Sequence, residues 1–331
     1  MRILIATGIY PPEIGGPAYY AKNLAEALRK RGHTVDIGTF GALKMLPIGL
    51  RHAALFLRFL PQVAKADHVI ALDTFSAALP AYFAAKLFRK KLIVRTGGDF
   101  LWEQYVERTG DLLPLPFFYE KHKPFSRREH LYHFVTKFIV CHSVVIFSSR
   151  FQKDIWVSHY KADPNSPIIE NAISERLESV APERKNFVMY GRDIKLRNKK
   201  KLAVAYQNAK KIVPEITLET GQLPQGELME KIRRAYVVIL PSVSEITPNL
   251  ILDALRCGKP FILSKYSEYA TLYKEFGLFV DPLDANDISE KILMMCDDST
   301  YAGFVERIKQ NPLMRTYDDL ADDFIRIVQK P

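Results

Sequence analysis

Residues 236–260, YVVILPSVSEITPNLILDALRCGKP, join an apolar run to an amphipathic one through a polar turn. The first five residues are β-branched or apolar and predict a central strand of a parallel sheet. Thr247 then offers a hydroxyl N-cap, and Pro248 takes the first helical position, which needs no amide donor. The helix predicted here should direct its free amides, around Asn249 and Leu250, beyond the end of the strand, where they attract phosphate.

Two acids flank this predicted anion site. Glu245 precedes the helix start, and Asp253 follows eight residues later, one turn after Asn249 on the same face. Each acid repels phosphate but accepts hydrogen bonds from hydroxyl groups strongly, so the pair suits a ligand with both groups, such as a nucleotide sugar. The same spacing also fits two solvated surface acids beside an ordinary helix start, and it does not decide between these interpretations.

A longer pattern surrounds the two acids. It reads Ser242-x-x-Glu245-x-x-Pro248-Asn249-x-x-x-Asp253-Ala254, followed by Cys257-Gly258-Lys259-Pro260. This pattern resembles the signature of family 4 glycosyltransferases of the GT-B fold, which carry Glu-x7-Glu where this chain has Glu-x7-Asp. The resemblance implies that Glu245 lies against the donor sugar and that Asp253 holds the ribose hydroxyls.

Length and composition fit two globular domains, because the chain has 331 residues, of which 48% are hydrophobic and 25% charged. The three cysteines are far apart and show neither a metal-binding spacing nor an even disulfide count, which favours a reducing cytoplasm. The apolar run after Met1 is too short for a signal peptide or a membrane span. We therefore expect a cytoplasmic protein.

The formal charge of +10 indicates an anionic partner: a nucleotide, a nucleic acid or an acidic membrane face. The absence of zinc-finger and RNP-like motifs argues against nucleic acid. In residues 43–65, four cations recur every seven residues, Lys44, Arg51, Arg58 and Lys65. This segment is either a core-packed helix with a solvated basic edge or a helix lying on an anionic membrane surface at the inner face.

The first half of the chain begins as a β-loop-α-β unit, which belongs to a parallel sheet wound by helices. Gly15 and Gly16 lie in the first loop, where they allow close backbone approach to a ligand. Such paired glycines are also common in plain turns, but the family carries a similar Pro-Pro-x-x-Gly-Gly loop facing the cleft. The resemblance therefore implies a substrate-binding role for both glycines.

Asp99 follows the strand 91–95 and two glycines, a position from which an acid can enter a cleft. An Asx-turn or a helix cap explains it equally well. Many family members have a histidine in this region that contacts the donor sugar, so the resemblance makes Asp99 a candidate for sugar or acceptor hydroxyls. Residues 105–137 are polar, aromatic and basic, and we expect them on the acceptor side.

The second half starts again as a βαβ array. Asn171 lies in the apolar run 168–173, which resembles the family strand that ends in Asn-Gly, and it is a second cleft candidate. The strand 187–190 runs into Gly191 and Arg192, and Arg197 stands where the family usually has Lys. Cations at the carboxyl end of a strand suit a diphosphate.

We predict an α/β GT-B architecture of two Rossmann-like domains with parallel sheets facing across a cleft. Residues 1–165 would form the acceptor domain and residues 166–311 the nucleotide-sugar domain, with a helix at about 312–331 packing back on the first.

The resemblance implies a retaining transfer of a hexose-type sugar from a nucleoside diphosphate sugar to a glycan or lipid-linked acceptor in cell-surface polysaccharide or glycolipid synthesis. No metal or other cofactor is expected, since Arg192, Arg197 and the amides of residues 247–250 would take the diphosphate charge, and no Asp-x-Asp motif is present. A two-carboxylate hydrolase is a rival that leaves the basic strand end unexplained. The other alternative is a non-catalytic nucleotide- or membrane-binding module with the same fold.

Overall fold

A computed structural model describes residues 1–13, 15–121, 124–173, 175–311 and 315–329. Within these ranges the strands are β1 (Arg2–Ala6), β2 (Thr34–Gly38), β3 (His68–Ala71), β4 (Leu92–Thr96), β5 (Val144–Phe147), β6 (Asn186–Tyr190), β7 (Thr217–Gly221), β8 (Val237–Leu240), β9 (Phe261–Ser264) and β10 (Gly277–Val280).

The helices are α1 (Gly16–Lys30), α2 (Ile48–Lys65), α3 (Ala78–Leu87), α4 (Phe100–Thr109), α5 (Leu115–Phe118), α6 (Arg127–His142), α7 (Arg150–Tyr160), α8 (Lys199–Ile212), α9 (Gln225–Arg234), α10 (Asn249–Arg256), α11 (Tyr269–Leu272), α12 (Ala285–Met295), α13 (Asp298–Gln310) and α14 (Tyr317–Val328). Two short 3₁₀ helices occupy Gly41–Met45 and Lys195–Arg197. None of these described helices combines the length and the apolar character needed to cross a bilayer.

The chain divides into two compact units. Among the described residues, unit 1 contains 1–101, 124–172 and 316–329, and unit 2 contains the rest. Unit 1 is built on a five-stranded sheet of order β2-β1-β3-β4-β5, in which every neighbouring pair is parallel. Helices α2, α3 and α6 bury their apolar faces on one side of the sheet, and α1 and α14 do so on the other.

Unit 2 has a second five-stranded sheet, of order β10-β9-β8-β6-β7, and all of its neighbouring strands are also parallel. Its three central strands, β6, β8 and β9, are fully buried, as expected for a parallel sheet covered on both faces. The prediction of two α/β units with parallel sheets is therefore confirmed.

Unit boundaries differ from the expected ones in two places. Residues 102–121 group with unit 2, and unit 1 continues to Ala172. The predicted strand at 168–173 is instead an extended segment on β5: Ile169 N donates to Phe147 O at 2.8 Å, and Phe147 N donates to Pro167 O at 3.0 Å. Asn171 consequently belongs to unit 1.

Helix α14 packs on α1 in unit 1. Arg31, just after α1, donates to Asp318 at 2.9 Å and also donates to Asp322, so ion pairs with two acids of α14 link the two helices. Residues 312–314 and 330–331 of the predicted terminal helix lie outside the described residues.

Candidate functional site

Three turns at the carboxyl end of the unit 2 sheet are fastened to each other. Val243, after β8, donates its amide to Leu196 O, after β6, at 2.9 Å. Asn198 adds two bonds from its side-chain amide, to Pro241 O at 3.2 Å and to Pro282 O at 2.5 Å. Ligands of open α/β sheets bind at this edge, so these hydrogen-bonded turns lie where a binding site is expected.

Arg197 and Glu245, from the turns that follow β6 and β8, contact each other. Arg197 Nη1 lies 2.6 Å from Glu245 Oε1, and the side chains are only 21% and 14% exposed. The same nitrogen approaches Ser242 Oγ at 3.3 Å, whereas the buried Nε has no hydrogen-bond partner in the described part of the chain. Gly191 has a φ of +149°, a backbone conformation that other residues rarely adopt, and a Cβ there would be in ordinary van der Waals contact with Arg197, 3.4 Å from its Nε. The pair is thus a partly buried charge couple in which the Arg197 Nε has no partner among the described residues.

Helix α10 begins one residue later than predicted. Pro248 is the N-cap, and its carbonyl accepts from the amides of Ile251 at 2.9 Å and Leu252 at 3.2 Å. The amide of Asn249, expected to face a ligand, donates to Thr247 O at 2.9 Å. Proline cannot supply a side-chain cap, so this helix start differs from the predicted Thr247 cap.

Asp253 lies one turn into α10, half-buried, while Leu250 belongs to the core. Burial raises the pKa of Asp253 to about 6, and the charge of Arg256 and a hydrogen bond with Gln225 limit that rise. A carboxylate that remains poorly solvated in the folded protein is suited to accept hydrogen bonds from a ligand.

The raised pKa predicts a specific pH dependence of stability. Between its ordinary pKa of 3.8 and its folded value of about 6, Asp253 binds more protons when folded than when unfolded, so its contribution to stability falls as pH rises through this window. Urea unfolding at pH 5 and pH 7.5 should therefore show that Asp253→Asn gains stability relative to wild type at the higher pH, by about 1–1.5 kcal/mol.

A matched control for this prediction is Asp297→Asn. The pKa of Asp297 is lowered to about 2 by hydrogen bonds from Ser299 and Thr300, so this group is ionised in both states across the tested range. Its variant should differ from wild type equally at both pH values. An Asp253→Asn variant that behaves in the same way would contradict the burial argument.

Two acids of α4 contact the cations that follow β6. Glu103 Oε2 lies 3.4 Å from Nη2 of Arg192, whose side chain is 59% exposed. Glu107 accepts from the amide of Lys195 through its carboxylate and from the Lys195 ammonium through its carbonyl, each at 2.6 Å. Arg192, predicted to face a diphosphate, is therefore paired with an acid from the first half of the sequence.

The same segment reaches the residues around Glu245. Leu115 N donates to Ser244 Oγ at 2.9 Å, and the rings of Phe117 and Tyr266 meet edge to face at 5.6 Å. Tyr266 O in turn accepts from the amide of Glu245 at 3.2 Å. Residues 105–121, expected on the acceptor side, thus pack against the predicted donor residues. Residues 122 and 123 of the expected acceptor region lie outside the described residues.

The predicted site residues of unit 1 differ in their surroundings. Gly15 is the N-cap of α1, and Gly16 is the first helical residue. A Cβ on Gly15 would lie 3.0 Å from Ile9 Cδ1, so a larger residue there would require the Ile9 side chain to shift. Asp99 is 1% exposed and accepts from Trp156 Nε1 at 2.9 Å. The expected contact of Asp99 with a ligand hydroxyl does not match this position, since the carboxylate is buried against a protein donor.

Asn171 accepts a hydrogen bond from Arg95, a residue that the sequence analysis did not single out. The signal was present, because Arg95 is the one charged residue of the apolar strand LIVRT. Glu103 and Glu107 were also missed; their spacing of four on a helix is too common to indicate a site. No group of three or more His, Cys, Asp or Glu side chains in the described ranges is arranged to hold a metal ion.

Comparisons with known proteins give a family match for part of the chain. A family model described as "Glycosyl transferases group 1" matches residues 168–298, the part that contains Arg192, Arg197, Glu245 and Asp253. Curated protein sequences give no match to the chain.

Solved structures match nearly the whole chain. Sucrose-phosphate synthase from Thermosynechococcus elongatus has a TM-score of 0.70 at 16% identity, covering 98% of this chain and 97% of its own. HepE from Anabaena, in complex with UDP-glucose, has a TM-score of 0.70 at 13% identity, covering 99% of both chains. WaaG, a glycosyltransferase involved in lipopolysaccharide biosynthesis, has a TM-score of 0.65 at 11% identity, covering 100% of both. The chain thus has the GT-B glycosyltransferase fold, and residues 168–298 match the group 1 glycosyl transferases.

Proposed function

We propose that this protein is a glycosyltransferase that moves a hexose-type sugar from a nucleoside diphosphate sugar to a glycan or lipid-linked acceptor, with retention of anomeric configuration. The Arg197–Glu245 couple carries the proposal. It lies beside the start of α10, at the sheet edge where ligands bind, and within the segment that matches the group 1 glycosyl transferases.

Arg197 and Arg192 would hold the diphosphate. Arg197 has a buried Nε without a partner among the described residues, and Arg192 is exposed with a long contact to Glu103, at 3.4 Å. Fixed cations that face a leaving diphosphate stabilise the charge that develops as the glycosidic bond breaks. The proposal therefore requires no divalent ion.

Glu245 and Asp253 would contact the hydroxyl groups of the donor, Glu245 at the sugar and Asp253 at the ribose. With retention, the acceptor oxygen forms the new bond to the anomeric carbon on the face that the diphosphate leaves. The acceptor proton then passes to the leaving phosphate. Glu245 hydrogen-bonds the sugar and balances the charge of Arg197 during this step.

A two-carboxylate hydrolase remains a poorer account, because it gives no use to the cations at the ends of the turns and because the Glu245 carboxylate is already paired with Arg197. HepE is described in complex with UDP-glucose, which supports UDP as the first donor nucleotide to test.

A thermal-shift panel with UDP, GDP, ADP, TDP and their common sugar conjugates, with and without EDTA, tests the donor class. A ligand at a hundred times its dissociation constant adds about 2.7 kcal/mol, which raises Tm by several degrees. One nucleotide that raises Tm equally in EDTA supports metal-independent donor binding. If no nucleotide raises Tm, the assignment of Arg192, Arg197 and Asp253 to a donor site is wrong.

A lipid-linked acceptor would place the enzyme at a membrane, and one surface of unit 1 supports this part of the proposal. Helices α2, α3 and α6 contain one acid, the buried Glu129. Their seven basic residues are Arg51, Arg58, Lys65, Lys86, Arg127, Arg128 and Lys137. Large apolar side chains are also exposed on these helices: Leu50, Leu57, Phe83, Leu87, Leu131 and Phe134. Cations beside exposed apolar side chains suit an anionic lipid surface.

Vesicle flotation tests this surface. Wild type should float with vesicles containing phosphatidylglycerol and much less with pure phosphatidylcholine, since the cations require an anionic headgroup. Leu50→Glu combined with Leu57→Glu should reduce flotation at least several-fold, because each of these side chains is 62% exposed on α2. The control is Val204→Glu combined with Ile212→Glu, at similarly exposed positions on α8 of unit 2. Equal flotation of both double variants would rule out this surface.

A further inference from the structure

Arg95 is a buried cation in unit 1 that forms no ion pair with an acid in the described part of the chain. Its side chain is 7% exposed, on the face of β4 that packs against α1. Its guanidinium has one hydrogen-bond partner in the described ranges, Asn171 Oδ1, and its Nε is buried without a partner. A guanidinium carries five donors, so most of them have no acceptor among the described protein groups.

Three groups hold the guanidinium in place. Arg95 Cζ lies 4.2 Å from the ring centroid of Tyr20, in the first turns of α1. Asn171 fixes one amino group, and Gly97 makes room for the other, because a Cβ on Gly97 would lie 2.7 Å from Arg95 Nη1. An aromatic face, an amide oxygen and a glycine together orient the charge, but none of them neutralises it.

The energetics of this arrangement favour the binding of an anion. Burial of an ionised group is unfavourable unless an opposite charge compensates it, and a cation–π contact offsets only part of this cost. Arginine does not lose its proton at any ordinary pH, so it cannot escape the cost by becoming neutral. A planar fork of unused donors is suited to bind a carboxylate or phosphate through two parallel hydrogen bonds.

We propose that Arg95, oriented by Tyr20, Gly97 and Asn171, forms an oxyanion site in unit 1 that binds a carboxylate or phosphate group. Arg95 is the fourth of the five residues of β4, next to the carboxyl end of the sheet, where ligands of this fold class bind. The site is distinct from the cations of unit 2 and binds its anion whether or not the chain transfers sugar. If the proposed transfer is correct, the site selects acceptors that carry an acidic group.

Thermal shifts in sodium phosphate, sodium acetate and sodium chloride of equal ionic strength test the site. Wild type should gain Tm in phosphate or acetate relative to chloride, and the larger gain identifies the preferred anion. Gly97→Ala should remove the Arg95 part of this gain, since the new methyl group displaces the guanidinium, the mobile end of a side chain. Asn171→Asp should do the same, because its carboxylate occupies the place of the anion.

Arg95→Met should also abolish the gain in Tm, and Arg95→Lys should keep part of it. Because Gly97→Ala and Asn171→Asp leave Arg95 in place, the test does not depend on whether Arg95→Met folds. All four substitutions lie in unit 1, so any anion bound by the unit 2 cations contributes equally to every variant. The inference is overturned if wild type has the same Tm in all three salts, or if Gly97→Ala and Asn171→Asp respond to anions as wild type does.

The second arm compares acidic and neutral sugars. Glucose 6-phosphate or glucuronate should bind wild type at least tenfold more tightly than glucose, and Gly97→Ala should reduce this preference to near unity. An anion shift in the salts that depends on Arg95, without transferase activity, would reject the transfer proposal and keep the site. Transfer to neutral and acidic acceptors with equal kcat/KM, in both wild type and Gly97→Ala, would reject the acceptor role.

Discussion

Glutamine in place of Glu245 is expected to lower glycosyl transfer by about 10²–10³-fold while nucleoside diphosphate affinity stays within a few-fold of wild type. The carboxylate lies 2.6 Å from Arg197 and is 14% exposed, so it acts in a poorly solvated site where charge matters most. Glutamine keeps the size and can still accept the hydrogen bond from Arg197. Only the negative charge is lost, and this charge should matter more to the sugar than to the nucleotide.

Initial rates with the donor identified by thermal shift, and calorimetric titration with the matching nucleoside diphosphate, measure the two effects separately. Glu290→Gln, at an exposed acid of α12, is the matched control and should leave both unchanged. Equal turnover in Glu245→Gln and wild type would remove Glu245 from the reaction. If nucleotide affinity falls as much as turnover does, Glu245 contributes to nucleotide binding. A non-catalytic nucleotide-binding module then describes the protein better.

The central stretch shows how much of the fold the sequence carries. Residues 236–260 predict a strand, a polar turn and a helix, and the structure has β8 and α10 there, with the helix start displaced by one residue to Asn249. The prediction succeeds because the spacing of apolar residues, the β-branched side chains and the proline each favour a strand or a helix within a few residues of their own position. Pro248 is the N-cap instead of Thr247, because its carbonyl accepts the first helical hydrogen bonds, from the amides of Ile251 and Leu252.

Partners distant in sequence account for what was missed. Asp99 follows a strand and two glycines, as a ligand-facing acid would, but Trp156 supplies a donor from 57 residues away and buries it. In the same way, nothing near Arg192 in the sequence indicates that Glu103 pairs with it across 89 residues. Local patterns identify strand ends and helix starts, whereas tertiary packing decides which side chain at such an end remains available to a ligand.

Arg95 illustrates the opposite case, a residue whose pattern is informative only once its surroundings are known. A lone arginine in an apolar strand usually reaches solvent or an acid at the sheet edge. Here the guanidinium is buried beside Tyr20 and Asn171, and that combination is what makes it a binding-site candidate.

Methionine in place of Arg197 is the second change with a large expected effect, a fall in kcat of about 10²–10³-fold. Arg197 supplies the partly buried positive charge next to Glu245. In the proposed reaction its Nε, which has no hydrogen-bond partner among the described residues, would donate to the leaving diphosphate. Arg197→Lys should recover part of the loss, since it keeps the charge without the planar fork. Arg192→Met should cost less, because Arg192 is 59% exposed and its charge is screened by water.

A double-mutant cycle decides whether Arg197 and Glu245 act as one unit. If the couple orients the donor jointly, adding Glu245→Gln to Arg197→Met should lower kcat little further, with a coupling free energy of about 1–3 kcal/mol. Rates in EDTA belong to the same experiment, because a guanidinium that replaces a metal ion makes the wild-type rate insensitive to chelation. Additive losses would show that the two side chains contribute separately. A rate that returns only with a divalent ion would show that the leaving diphosphate depends on another charge.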